Sequence, residues 1–386
     1  MKLIPPKAYL PLCSPSSRIN NQHSSTAMPS RASTLNLQVL LHPTATDFLN
    51  ATEHILEKHG LTSNIILPFA IKARKNERLP TSNARGTAYW SAPPAALPSQ
   101  MPKQFWMTQW TVRGAGSVPT LDFVLAITEG QLGAYPVFFW SPHQSIEMSS
   151  AFLFPRIQAI VARLCRTIPA ERVFSIFGQE PVVNAFTNVW TQATGKIPEP
   201  EAFYAAKFSY CSRKHLQPPP QLPAGHELRL ATIADLDQCA QLCKEFADDS
   251  VFFPLSLEGG RQEAKSMIDA KHLWVYATPQ GIATVVASTR RTPNAVASIN
   301  KVYTPPDFRG KGCAQRLVAH VTRALLDGTD CATAHEAVVL YVSHGNPAAR
   351  VYNRVGFQGL DDGLPLPPLV ENWLETGFQA THRGHW

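Results

Sequence analysis

No apolar run in the chain reaches the ~18 residues that a bilayer-crossing helix needs, so no membrane-spanning segment and no membrane partner are expected. No Cys-x-x-Cys pair occurs among the seven cysteines, and seven are too few for a disulfide scaffold in 386 residues. Cys239 and Cys243 would share a helix face, but no histidine stands at ligand spacing beside them. The thiols read as those of a reducing compartment, and neither they nor the short His382–His385 segment argue for a metal. Despite a formal charge of +7, no long Lys/Arg run appears. That weighs against a nucleic-acid partner and leaves room for an anionic small molecule. The first 46 residues contain no Asp or Glu. A mitochondrial transit peptide has that bias, but prolines at 5, 6, 11 and 15 spoil an amphipathic helix, so a disordered tail over 1–35 and a cytoplasmic location are the expectation, with a mitochondrial address as the alternative. Met28 is an alternative start.

What is present begins with 33 prolines, gathered between elements. His215–Glu227, HLQPPPQLPAGHE, is the clearest linker, since three consecutive prolines favour an extended spacer. The expected organisation is a first domain over 36–214, a linker over 215–225 and a second domain over 226–386. In the second, HELRLA is a short strand, and Thr232 with Asp235 forms a capping box before the helical spacing of Ile233, Leu236, Ala240, Cys243 and Phe246. LWVYAT and IATVVAST are joined by Pro-Gln-Gly as a hairpin, and AVASINKVYT is a third strand. Ala314, Leu317, Val318, Val321, Ala324 and Leu325 form one apolar helical stripe that ends at Asp327-Gly328. AVVLYV, PAARVYNRV and ENWLETGFQ follow as strand, helix and strand. The fold class is α/β with a mixed sheet.

Between the third strand and the striped helix lies Arg309-Gly310-Lys311-Gly312-Cys313-Ala314. Glycines let a backbone approach a ligand closely, and a helix start leaves about four amides unpaired, a ready anion site. Neither GxxxxGK[ST] nor GxGxxG is present, so neither a P-loop nor a dinucleotide fingerprint explains the turn. About 35 residues later the strand VVLYVS runs into HGNPAARVYNRVGF, His344–Phe357.

This pair of segments resembles the GCN5-related N-acetyltransferase (GNAT) family. Its acyl-CoA loop, [QR]-x-x-G-x-[GA], is matched by Arg309, Gly312 and Ala314. Its later segment is matched by Asn346, Ala349, Tyr352 (one position early), Gly356 and Phe357. The resemblance covers roughly 226–386. It implies an acetyl-CoA-dependent N-acyltransferase, with acetyl-CoA as co-substrate, no metal, and direct attack by an amine acceptor of unknown identity. It implies that the strands Ser298–Thr304 and Val338–Ser343 splay around the donor, that amides of Arg309, Gly310, Lys311, Gly312, Cys313 and Ala314 cradle the pyrophosphate, and that amides near Val302, Tyr303 and Thr304 meet the pantetheine arm and thioester. Tyr352 would be the general acid, and Asn346 would fix the segment. The sequence departs from the pattern in a further respect: Val296–Thr304 holds no carboxylate to serve as base. Asn300 or His344 is left near the site, and a non-catalytic acyl-CoA-binding module is the alternative function.

The first half has no such glycine loop, yet Glu171–Gly195 repeats the rhythm of the second motif, with Trp190 where the later copy has Tyr352. DFVLAITEG, AYPVFFWS and RIQAIVARLCRT supply strand, strand and helix before it. The expectation is a tandem fold whose first copy is degenerate and shapes the acceptor cleft or takes the place of a second subunit, as a monomer with tandem halves or a weak dimer.

Overall fold

The period-2 runs form strands and the 3.6-period runs form helices, and the computed structural model places them in two matching series. It describes residues 36–384 apart from 78–103, 115, 131–132, 250–253, 293–294, 330–333 and 362. The tail over 1–35 with its targeting bias, Met28, Cys13, Cys331 and Trp386 lie outside the described residues.

The first series is β1 (Asn36–His42), α1 (Ala45–Lys58), α2 (Leu67–Asn76), β2 (Phe105–Val112), β3 (Thr120–Ile127), a small ribbon of β4 (Glu129–Gly130) and β5 (Gly133–Ala134), β6 (Val137–Trp140), α3 (Ser150–Leu164), β7 (Ser175–Gln179), α4 (Glu180–Thr194) and β8 (Tyr204–Ser212). The second is β9 (Glu227–Leu230), α5 (Leu236–Asp248), α6 (Leu257–Asp269), β10 (Leu273–Thr278), β11 (Gly281–Thr292), β12 (Val296–Tyr303), α7 (Cys313–Asp327), β13 (Ala337–Ser343), α8 (Ala348–Val355) and β14 (Asn372–Gly377). With the ribbon set aside, the two orders of strands and helices are identical.

The sheet makes the duplication explicit. Its twelve strands run β1-β2-β3-β6-β7-β14-β8-β13-β12-β11-β10-β9. Each half lays down five strands in order, and in each the fourth and fifth are parallel: β6 with β7, and β12 with β13. The sixth strands are exchanged. β8, the last strand of the first series, pairs with β13, while β14 pairs with β7, and β8 and β14 pair with each other at the centre. Leu35–Trp386 accordingly form one compact unit.

Helices cover both faces. α3 and α4 seal one face of the first half, with Phe139, Phe186 and Trp190 in their core. α7 and α8 do the same for the second half, where the predicted stripe of Leu317, Val318, Val321, Ala324 and Leu325 is buried. On the opposite face, α5 and the strands beneath it bury Cys239 and Cys243. α1 and α2 reach further: their core joins Phe48 and Ala70 to Trp106 and Phe138 of the first half and to Val296 and Val339 of the second. The proline-rich segment is strapped to the second half. The Gln217 amide donates to the Val355 carbonyl (2.9 Å), and Arg316 Nε donates to the Gln221 carbonyl (2.8 Å). Gly356 closes α8 with φ +115°, and a Cβ there would collide with the His215 carbonyl.

Candidate functional site

The cleft follows from one extra residue in a strand. Lys301 stands opposite Ala287 and Ile299 opposite Ser288, so Asn300 is unpaired and bulges from β12. A bulge bends its strand. β12 and β13 pair over only three positions, ending at Ser298–Val339, and then part. β13 remains bonded on its other side to β8 as far as Ser343–Ala206. Beyond Ser298 the facing edges of β12 and β13 therefore form a V in which backbone groups have no strand partner.

The predicted glycine turn closes the mouth of this V. A one-turn helix over Pro306–Phe308 leads to Arg309, whose Nε donates to the Thr304 carbonyl (2.9 Å). Gly310 and Gly312 have φ of +76° and +75°, left-handed values that favour glycine. No atom lies within 4 Å of a Cβ placed on Gly310, so conformation alone requires glycine there. Arg316 Nη1 donates to the Lys311 carbonyl (2.9 Å) and ties the turn to the helix. Lys311 Nζ lies 5.3 Å from the centre of the Phe308 ring. Gly312 is the N-cap of α7, and no side chain caps that end. First-turn amides at the positive end of the helix thus have no side-chain acceptor.

The other predicted residues fall as follows. Val302 is half-buried at the open edge. Tyr303 is buried on the α5 side, where desolvation and then Glu245 raise its pKa, so only its backbone belongs to the V. Thr304 Oγ1 is 2.9 Å from Thr284 Oγ1. Cys313 is buried and burial pushes its thiol pKa up, which removes nucleophilic character; Ala314 is half-buried beside it. Tyr352 lies in the α7–α8 core, 6.0 Å from the Phe357 ring, and desolvation raises its pKa strongly, with Tyr204 adding a smaller push. Asn346 is exposed, and its Oδ1 accepts from the Ala348 amide (2.9 Å), turning the chain into α8. His344 is exposed. Asn300 is exposed at the bulge, its Oδ1 accepting from Ser298 Oγ (3.3 Å). Lys301 pairs with Glu263 at 2.6 Å.

The matching V of the first half is filled by its own side chains. β6 and β7 also part after three pairs. There Gln179 bridges the gap, accepting from the Ser141 amide and donating to the His143 carbonyl, both at 2.9 Å. Its Nε2 also donates to Glu371 Oε1 (3.0 Å), and Ser145 donates to Glu371 Oε2 from its amide (3.0 Å) and hydroxyl (2.6 Å). The helix behind, α3, is capped by Ser149, whose hydroxyl accepts from the Phe152 amide (3.3 Å). Trp190, at the place of Tyr352, is fully buried and stacked on Phe186. The sequence reading anticipated the loss of the glycine turn and of the tyrosine. It missed Gln179 and Glu371, because Glu371 arrives from the far end of the chain.

The splayed parallel pair, the left-handed glycine turn and the uncapped helix are the arrangement that the resemblance to the GNAT family implies. Residues 269–359 match the family model described as an acetyltransferase (GNAT) domain, and the chain carries a GNAT domain there. Among solved structures, similarity extends to a GCN5-related N-acetyltransferase from Sphaerobacter thermophilus, 13% identical, covering 88% of this chain and 94% of that one with a TM-score of 0.46. A tandem GNAT protein from the clavulanic acid biosynthesis pathway is 13% identical over 90% of this chain and 100% of that one, with a TM-score of 0.43. An acetyltransferase of the family from Colwellia psychrerythraea is 9% identical over 70% of this chain and 85% of that one, with a TM-score of 0.41. No curated protein matches. Among the described residues no helix is long and apolar enough to cross a membrane, and no group of metal-ligating side chains occurs.

Proposed function

We propose that the chain is an N-acetyltransferase that uses acetyl-CoA at the second V only. The observation that carries this reading is the contrast between the two copies: in the second no side chain caps the helix behind the V, while in the first Gln179 and Glu371 bridge the gap and Ser149 caps the helix. The residues fit the donor. Amides from Gly310 to Ala314 suit a pyrophosphate, while the predicted Arg309 amide is already engaged by the Pro306 carbonyl (3.1 Å), and the open edge of β12 near Val302 and Thr304 suits an extended amide-bearing arm.

The amine attacks the thioester carbonyl, a C–N bond forms, the C–S bond breaks, and the thiolate takes a proton. Tyr352 is the donor of that proton. Its raised pKa keeps it protonated through neutral pH, as an acid must be. The amine must arrive neutral or lose a proton on the way. Since β12 has no carboxylate, that proton leaves through water at the exposed Asn300, which the Ser298 and Thr289 hydroxyls hold in a polar chain. The missing carboxylate also supports a second reading, a module that binds acyl-CoA and transfers nothing.

Calorimetric titration of acetyl-CoA into the full chain tests the proposal. One site per chain, with CoA released when an amine is added, is the expected result. Two sites would overturn the one-cleft reading, no binding would overturn both readings, and binding without release for any amine would leave the non-catalytic module.

A further inference from the structure

On the far face of the sheet, beside the last paired residues of the V, helices α1 and α2 of the first half pack against the second half. Strand alternation turns Ser298 to the same face as Val296, which packs with α1 and α2. α2 lies against β11, and near the end of β11 stands Arg291. Its Nε donates to Ser298 Oγ (2.8 Å), at the last paired position before the strands part. Its guanidinium carbon is 6.0 Å from the centre of the Phe69 ring, on α2. Tyr135 and Tyr341 are the other groups that act on it electrostatically, and both are phenols.

No carboxylate pairs with Arg291 among the described residues, and its two terminal nitrogens have no acceptor there. The side chain is half-buried, so a guanidinium without a counter-ion carries a desolvation cost, and burial lowers its pKa accordingly. The phenols cannot supply the charge, since desolvation raises the pKa of each. They can supply protons. Asn64 Nδ2 donates to both the Leu61 carbonyl (2.5 Å) and the Tyr341 hydroxyl (3.1 Å). The Leu61 bond fixes the amide orientation, so the Tyr341 oxygen is an acceptor toward Asn64 and its own proton is available to a third group.

We propose that Arg291, flanked by Tyr135 and Tyr341, is the anchor for a carboxylate on the acceptor, so that the acceptor is an amino-acid-type amine. The proposal rests on the acetyltransferase reading above. Two terminal N–H groups in a planar fork match a carboxylate, and the neighbouring rings suit an apolar body. With the carboxylate at Ser298, the amine points along β12 toward the bulge and the thioester. The first half thereby contributes Phe69, Tyr135 and Asn64 to the acceptor side of the second half's reaction.

The test is a comparison of matched acceptors with the full chain: L-phenylalanine against phenethylamine, L-leucine against isopentylamine, and 6-aminohexanoate against n-pentylamine. At least one carboxylate-bearing member is expected to exceed its partner in kcat/KM by roughly ten- to a hundredfold, the range of a charge-assisted contact. Arg291→Gln should collapse that ratio to about one, and Arg291→Lys, which keeps the charge and loses the fork, should fall between. Equal use of both members by the unmodified chain would overturn the proposal without any variant. Titration of N-acetyl-L-phenylalanine and N-acetylphenethylamine reads the same preference without turnover. Acetyl-CoA titration runs beside it, so that failure of the donor site is seen separately from failure of the carboxylate anchor.

Discussion

Glu375→Gln should change the pH dependence of stability in a way that only a buried carboxyl explains. Glu375 is 0% exposed at the centre of the sheet, on β14 between Phe177 of β7 and Tyr204 of β8. Ser175 Oγ donates to its Oε1 (2.7 Å), and Oε2 is buried with no partner. Desolvation outweighs the single hydrogen bond, and the pKa is pushed up from 4.5 to about 7. Between these two values the native state holds a proton that the unfolded state has released. Stability is therefore full below about pH 4.5, falls as pH rises and levels off above about pH 7. At ~1.4 kcal/mol per pKa unit, the loss amounts to about 3 kcal/mol. Glutamine keeps the shape and an acceptor for Ser175 but does not titrate. Denaturant unfolding of both proteins across about pH 5 to 8 isolates the effect, because other titrating groups cancel in the difference. The variant should gain little at the acid end and about 3 kcal/mol at the alkaline end. A difference that stays flat with pH would show that the carboxylate is solvated or paired in the native protein, and would refute the reasoning.

Two further outcomes concern the cleft. Gly312→Glu places a side chain on a left-handed residue and a carboxylate at the helix end, so acetyl-CoA binding by calorimetry should be lost while the thermal melt shifts only modestly. Retained binding would remove the turn from the donor site. Tyr352→Phe should leave donor affinity nearly intact and lower kcat by about a hundredfold, the lower range for a lost general acid. An unchanged kcat would make Tyr352 a core aromatic.

The second half was largely legible because its signals are local. The α7 stripe, the Gly328 cap, the hairpin of β10 and β11 and the capping box at Thr232 each depend on residues a few positions apart. The glycine turn was legible for the same reason, since two left-handed residues before a helix leave a mark in sequence. The Asn300 bulge left none, because a bulge is a mismatch of register with another strand. Arg291 was equally hidden: its surroundings come from α2, the β5–β6 turn and β13, and an arginine in the polar stretch Ser288–Thr292 says nothing by itself about what faces it. The rhythm of Glu171–Gly195 revealed the duplication, but the exchange of β8 and β14 depends on partners far apart in the chain.

That exchange bears on how the protein comes off the ribosome. Ser175 and Glu375, which meet through a hydrogen bond between adjacent strands, are 200 residues apart. The first half, though made first, presents β7 with an open inner edge until β14 has been synthesised almost at the end of the chain. Meanwhile β8 has already left to await β13. Neither half is complete without the other, so the nascent chain must carry unpaired strand edges through most of translation, the state in which pairing with a neighbouring chain competes.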